Sequence, residues 1–147
     1  MKKINEMELN FLSLSCNESF ARSCVAAFCL GVNPSVDELT DIKTAVSEAV
    51  TNCVVHAYPD KPGKITLSVV LYDDYIDISI SDKGIGIDDI EKAREPFFTT
   101  KPGDERSGMG FTVMESFMSD ISVIKNFGGG ITINMKKILS KDQVLNA

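Results

Sequence analysis

Lys64-Ile65-Thr66-Leu67-Ser68-Val69-Val70-Leu71-Tyr72, a two-residue Asp73-Asp74 step, then Tyr75-Ile76-Asp77-Ile78-Ser79-Ile80-Ser81-Asp82-Lys83-Gly84-Ile85-Gly86 is the stretch that decides the fold. Ile65, Leu67, Val69 and Leu71 alternate with smaller or polar residues, as do Ile76, Ile78 and Ile80, which predicts a β-hairpin over 64–72 and 75–82 with one apolar face. Asp82 keeps the parity of the three isoleucines, so its carboxylate points to the apolar side at the strand's end. A carboxylate aimed at a core costs several kcal/mol unless donors reach it. Gly84 and Gly86 follow directly, giving a backbone that bends tightly and lets a flat ligand approach. An adenine amino group is a suitable donor, although Asp82-Lys83-Gly84 alone reads more simply as a strand-ending turn.

Upstream, a helix is expected from a Ser35-x-x-Glu38 capping box to about Tyr58, where Pro59 and Pro62-Gly63 break it. Leu39, Ile42, Val46, Ala49, Val50, Cys53 and Ala57 form its apolar stripe. Glu48 and Asn52 are neighbours on the roughly opposite face, with His56 one turn on. Such a pair is either solvated surface or a site in which the carboxylate accepts a proton and the amide oxygen ligates magnesium. Before this helix, a strand is expected over 8–15 and a helix from Asn17 to about Leu30, with Phe20, Cys24, Ala27 and Phe28 on one side.

Downstream, residues 87–107 lose periodicity and contain Pro96, Pro102 and Gly103, predicting a long loop. Thr99, Thr100, Lys101 and Arg106 supply hydroxyls and positive charge there. Ser107-Gly108-Met109-Gly110-Phe111 then opens a helix running to about Met118, and bare amides at a helix start suit an anion. A lid over phosphates fits this segment better than a passive connector. A last hairpin is expected over 120–127 and 131–138, turning on Gly128-Gly129-Gly130.

Composition narrows the class. At 147 residues with 44% hydrophobic and 24% charged residues, the chain reads as one domain spanning 1–147. Its net charge of -6 disfavours direct binding to nucleic acid. Asn5, Glu6 and Glu8 break any signal-peptide core, and no apolar run approaches the ~20 residues of a membrane span. A cytoplasmic protein is the expectation. Cys16, Cys24, Cys29 and Cys53 match neither a disulfide framework nor a zinc site, and buried reduced thiols are expected for most of them. Phosphate-loop, nucleophile-elbow and His-Glu-x-x-His motifs are absent from the sequence.

Taken in order, Glu48-x-x-x-Asn52-x-x-x-His56-Ala57-Tyr58, Asp82-x-Gly84-x-Gly86 and Ser107-Gly108-Met109-Gly110 resemble the conserved boxes of the GHKL ATPases. Val46 to Asn52, Phe98 to Pro102 and Glu105 to Phe111 are further similar to the anti-sigma F factor family of endospore-forming bacteria. The resemblance implies an α/β sandwich of Bergerat type, with helices on one face of a mixed, mostly antiparallel sheet. It implies ATP and Mg2+ as cofactors and a protein serine kinase that inhibits a sporulation sigma factor and phosphorylates an anti-anti-sigma protein, acting as a homodimer. Glu48 would be the general base, Asn52 the magnesium ligand, Asp82 the adenine reader and Arg106 a phosphate contact. Thr99, Thr100, Lys101, Gly84, Gly86, His56 and Ser107 to Phe111 would line the pocket, and Arg22 would contact a partner. Many relatives carry Gly-Thr at the start of the last strand, where this chain has Gly130-Ile131-Thr132. Two alternatives stay open: an ATP-gated sigma-binding module without phosphotransfer, and a general-stress anti-sigma kinase.

Overall fold

The structure is a computed structural model, and it describes residues 2–86 and 110–140. Five strands, β1 (Lys3–Leu12), β2 (Lys64–Tyr72), β3 (Tyr75–Asp82), β4 (Asp120–Lys125) and β5 (Ile131–Ile138), form one sheet in the order β1-β2-β3-β5-β4. All four pairings are antiparallel. Helices α1 (Cys16–Cys29), α2 (Val36–Asn52) and α3 (Gly110–Phe117) lie on one face, α2 packing against both of the others.

The alternation in β2 and β3 is what selects that face. Leu9, Leu67, Ile80, Ile133 and Val123 share one cross-strand row, and Met7, Val69, Ile78, Met135 and Ile121 the next. Leu67, Val69, Ile78, Ile80, Ile133 and Met135 are fully buried. At roughly 1.5–3 kcal/mol per large apolar side chain, this layer is the main stabilising contribution of the sheet. The opposite face carries Ser68, Ser79, Asp77 and Asn134, and the Asn134 amide donates to Asp77 Oδ1 at 2.6 Å and to Ser79 Oγ at 2.9 Å.

The α2 capping box forms as the sequence predicts. Glu38 N donates to Ser35 Oγ at 3.0 Å and Ser35 N to Glu38 Oε1 at 2.8 Å. Glu38 also accepts from Ser140 N at 2.7 Å, so the start of α2 holds the end of the last strand. Ile42, Val46, Ala49 and Val50 are buried, as read from the stripe, and Ala45 joins them.

Three expectations are corrected. The first strand runs from Lys3 rather than Glu8 because it pairs along the whole of β2, and it ends at Leu12, whose carbonyl accepts from Leu14 N at 2.8 Å as the chain turns. Asn17 does not cap α1: its amide donates back to Leu12 O at 2.9 Å, and Ser15 occupies the cap position. The buried face of α1 is Ala21, Val25 and Cys29, leaving Phe20 half exposed, since small residues four apart let the helix lie close to its neighbour. Of the cysteines, Cys29 and Cys53 are buried while Cys16 is exposed; burial pushes the Cys29 thiol up to about 12.

Burial raises the Glu38 carboxyl, but hydrogen bonds from Ser35 and Ser140 and the charge of Lys137 outweigh it and hold the group below its usual value. A depressed folded-state pKa contributes stability that is present above the unfolded value of about 4.3 and lost as pH falls through the folded one. Glu38→Gln should therefore lower the melting temperature at pH 7, with the gap from wild type closing in acid. Ser35→Ala, which removes the cap acceptor, should cost about 1 kcal/mol, or roughly 3 °C, in a thermal melt.

Candidate functional site

Cross-strand register sets the core of the site. Asp82 pairs with Ile65 in the row beyond Leu67 and Ile80, so its carboxylate occupies a core-face position and is 2% exposed. Donors from three segments reach it. Gly84 N donates to Oδ1 at 2.9 Å, Ile131 N donates to Oδ1 at 3.4 Å, and the Cys53 thiol donates to Oδ2 at 3.5 Å. Hydrogen bonds of this kind offset the cost of burying the charge.

The end of α2 is shaped to meet this group. After Asn52 the helix widens into a π turn, Cys53–Ala57. Single π turns are rare overall and frequent at functional sites. Here Ala57 O accepts from Ile85 N at 3.0 Å, and Tyr58 Oη accepts from Lys83 N at 2.7 Å while donating to Lys64 O at 2.6 Å. Burial raises the Tyr58 phenol, partly countered by the Lys83 amide, with the Asp82 charge adding to the rise. A Cβ at Gly84 would lie 2.0 Å from Ala57 O, so only glycine lets the loop pass the helix end.

The β4–β5 turn closes the other side. Gly128, Gly129 and Gly130 all have positive φ, and a Cβ on Gly130 would sit 2.1 Å from Asp82 O. Asn126 donates to Asp82 O at 2.9 Å and to Ser81 Oγ at 3.1 Å, and Thr132 Oγ1 donates to Asn126 Oδ1 at 2.6 Å. The glycine run read as a hairpin turn is therefore also a wall of the Asp82 site. Gly86, with φ 78°, lies against Gly130.

Glu48 and Asn52 are half-buried on α2, and His56 is half-buried in the π turn. Gly110, the first described residue of α3, faces Glu48: a Cβ there would be 3.8 Å from Glu48 Oε2. Phe111 is buried in the core. The structure thus brings Asp82, Gly84 and Gly86 together at the end of α2, with Asn52 and Glu48 following one turn apart along that helix toward Gly110. Thr99, Thr100, Lys101, Arg106, Ser107, Gly108 and Met109 lie outside the described residues. Arg22, on α1, pairs with Glu18 at 3.6 Å, and Glu18 accepts a hydrogen bond from Ser47 of α2.

A five-stranded antiparallel sheet under three helices, with a buried aspartate facing a glycine-rich loop, is the arrangement of a nucleotide-binding ATPase. The family model described as the histidine kinase-like ATPase domain matches residues 17–137, and the chain belongs to that family. Within it the chain stands with the anti-sigma F factors: it is 54% identical over 142 residues to the anti-sigma F factor of Bacillus subtilis (strain 168), covering 96% of this chain and 97% of the relative. Identity to the anti-sigma F factor of Thermoanaerobacter sp. (strain X514) is 51% over 143 residues, covering 97% of this chain and all of the relative. Among solved structures, the RsbU and RsbW domains of a Mycobacterium tuberculosis protein superpose with TM-score 0.67 at 18% identity, over 92% of this chain and 33% of that one. The catalytic domain of the histidine kinase ThkA superposes with TM-score 0.59 at 17% identity, over 95% of this chain and 99% of that one. These two likenesses show the fold.

Sequence reading missed Cys53, Tyr58, Ala57, Asn126 and Gly130 as neighbours of Asp82. Three consecutive glycines exceed what a hairpin turn needs, and that excess was the available signal for Gly130. For the others no local signal exists, because they meet Asp82 only through the sheet register and the π turn.

Gly130→Ala should destabilise the protein by about 2 kcal/mol or more, since left-handed backbone alone costs roughly 1–2 kcal/mol and the new methyl strikes Asp82 O. Gly128→Ala, with nothing within 4 Å of the new Cβ, should cost distinctly less in the same denaturant titration.

Proposed function

We propose that this single-domain chain is a cytoplasmic, dimeric anti-sigma factor that holds a sporulation sigma factor and uses ATP to phosphorylate a serine of an anti-anti-sigma protein. The observation that carries this reading is the near-complete match to relatives named anti-sigma F factor, coincident with a buried carboxylate held beside the Gly84 loop. In this reading Asp82 accepts a hydrogen bond from the adenine amino group, and Gly84 and Gly86 let the purine ring lie against bare backbone. The loop is fixed by Lys83 N to Tyr58 Oη and Ile85 N to Ala57 O, which supports a preformed site beside Asp82.

Asn52 offers one hard amide oxygen, the donor type that magnesium accepts while taking its remaining ligands from phosphates and water. When bound, the ion would neutralise charge on the phosphates. Glu48 is the proposed general base: it stands one turn before Asn52 and beside Gly110, where it is positioned to accept the proton of a serine hydroxyl. His56 is a proposed pocket neighbour. Thr99, Thr100, Lys101, Arg106 and Ser107 to Met109 are assigned to phosphate binding on the sequence reading alone. Arg22 is the proposed partner contact, and its pairing with Glu18 gives it a defined posture on α1.

Glu48→Gln should leave ATP binding and sigma inhibition near wild type while transfer of labelled phosphate to the anti-anti-sigma serine falls by about 100-fold or more, the scale of a general base. Wild-type transfer by this variant would refute the base assignment, and no transfer by the wild-type protein would favour an ATP-gated binding module instead. Asp82→Asn should weaken ATP binding roughly tenfold or more in a calorimetric titration, because an acceptor is replaced by an amide that presents a donor.

A further inference from the structure

Cys53 has no part in the proposed function, yet it is 1% exposed and its sulfur touches Asp82, the carboxylate assigned to adenine. We propose that Cys53 is a positioning residue for adenine recognition, its thiol fixing the plane of the Asp82 carboxylate from the α2 side. The proposal rests on Asp82 as the adenine contact.

The geometry is that of a clamp with jaws on different segments. An aspartate carboxylate turns easily about its last torsion, which has broad wells. The donor to Oδ1 at 2.9 Å, Gly84 N, is only two residues along the same loop and would move with it. Ile131 N, at 3.4 Å, is a long bond, and the isoleucine side chain brings no hydroxyl. Cys53 approaches Oδ2 from the π turn, which is tied to the Gly84 loop independently by Ile85 N to Ala57 O. With Gly84 N and Ile131 N on Oδ1 and the thiol on Oδ2, one of the carboxylate's roughly four acceptor positions is left, on Oδ2, for a purine amino group to meet already oriented. Pre-orientation of this kind raises affinity by removing an ordering cost from binding.

A thiol suits the position because it stays a donor. An ionised carboxylate only accepts, so the contact with Oδ2 at 3.5 Å uses the proton on sulfur. Since Cys53 directly follows Asn52, the same half-turn of helix would carry one residue toward the base and one toward the phosphates.

The test compares Cys53→Ala, Cys53→Ser and Asp82→Asn in titrations with ATP and with purine riboside 5′-triphosphate, which lacks the 6-amino group. Cys53→Ala should weaken ATP binding about three- to tenfold, the loss of one modest hydrogen bond, with little change for the purine riboside nucleotide. Cys53→Ser, which keeps a donor, should recover most of the ATP affinity. Equal loss for both nucleotides, or no recovery by serine, would show that Cys53 only packs and would overturn the proposal. If Asp82→Asn binds ATP like wild type, the adenine reading itself fails; if Asp82→Asn is weakened but Cys53→Ala is not, only the present inference fails. Infrared spectroscopy of the wild-type protein gives an answer even if the alanine variant does not fold. One S–H stretching band should lie at the low frequency of a carboxylate-bonded thiol and shift when ATP is added, and its absence would equally overturn the clamp.

Discussion

A carboxylate buried at the end of a strand is the constraint around which this molecule is organised. Asp82 sits where the hydrophobic row of the sheet would otherwise continue, and an uncompensated charge there would cost several kcal/mol, a large share of a domain's stability. Its acceptors are met by a backbone amide of the following loop, a backbone amide of β5 and a thiol at the end of α2. Each donor belongs to a different segment, so satisfying one side chain fixes the relative positions of the β3 exit, the glycine hairpin and the helix.

Helix α2 serves two requirements on two faces. Its buried stripe, Ile42, Ala45, Val46, Ala49 and Val50, anchors it over the sheet, while half-buried Glu48 looks toward Gly110. The π turn at Cys53–Ala57 reconciles these demands with the third, contact with the loop, by releasing the Ala57 carbonyl to Ile85 N. A regular helix continued through Ala57 would commit that carbonyl to the next turn.

Close approach by bare backbone recurs at both walls. Gly84 passes Ala57 and Gly130 passes Asp82 at separations no Cβ would permit. The family match and the near-complete similarity to anti-sigma F factors concern a chain whose site is made as much of missing side chains as of present ones. Ile131 N reaches the same carboxylate from β5, and Cys53 supplies a polar hydrogen to it from the end of α2.

Period-two alternation over 64–82, the Ser35–Glu38 cap and the apolar stripe of α2 were legible in the sequence because each depends on residues close along the chain. They determined the helix-on-sheet class, the hairpin bounds and the orientation of Asp82 toward the core. The start of β1 was not legible, since Lys3 to Met7 are strand only by pairing with β2. Nor was the buried face of α1, where Ala21, Val25 and Cys29 won over the larger Phe20 because close packing against α2 favours small side chains. The partners of Asp82 were decided by tertiary structure alone. Cys53, Gly130 and Ile131 lie 29 to 49 residues from it in the chain, and only sheet register and a helical irregularity, neither of which local propensity encodes, bring them within hydrogen-bonding or steric reach.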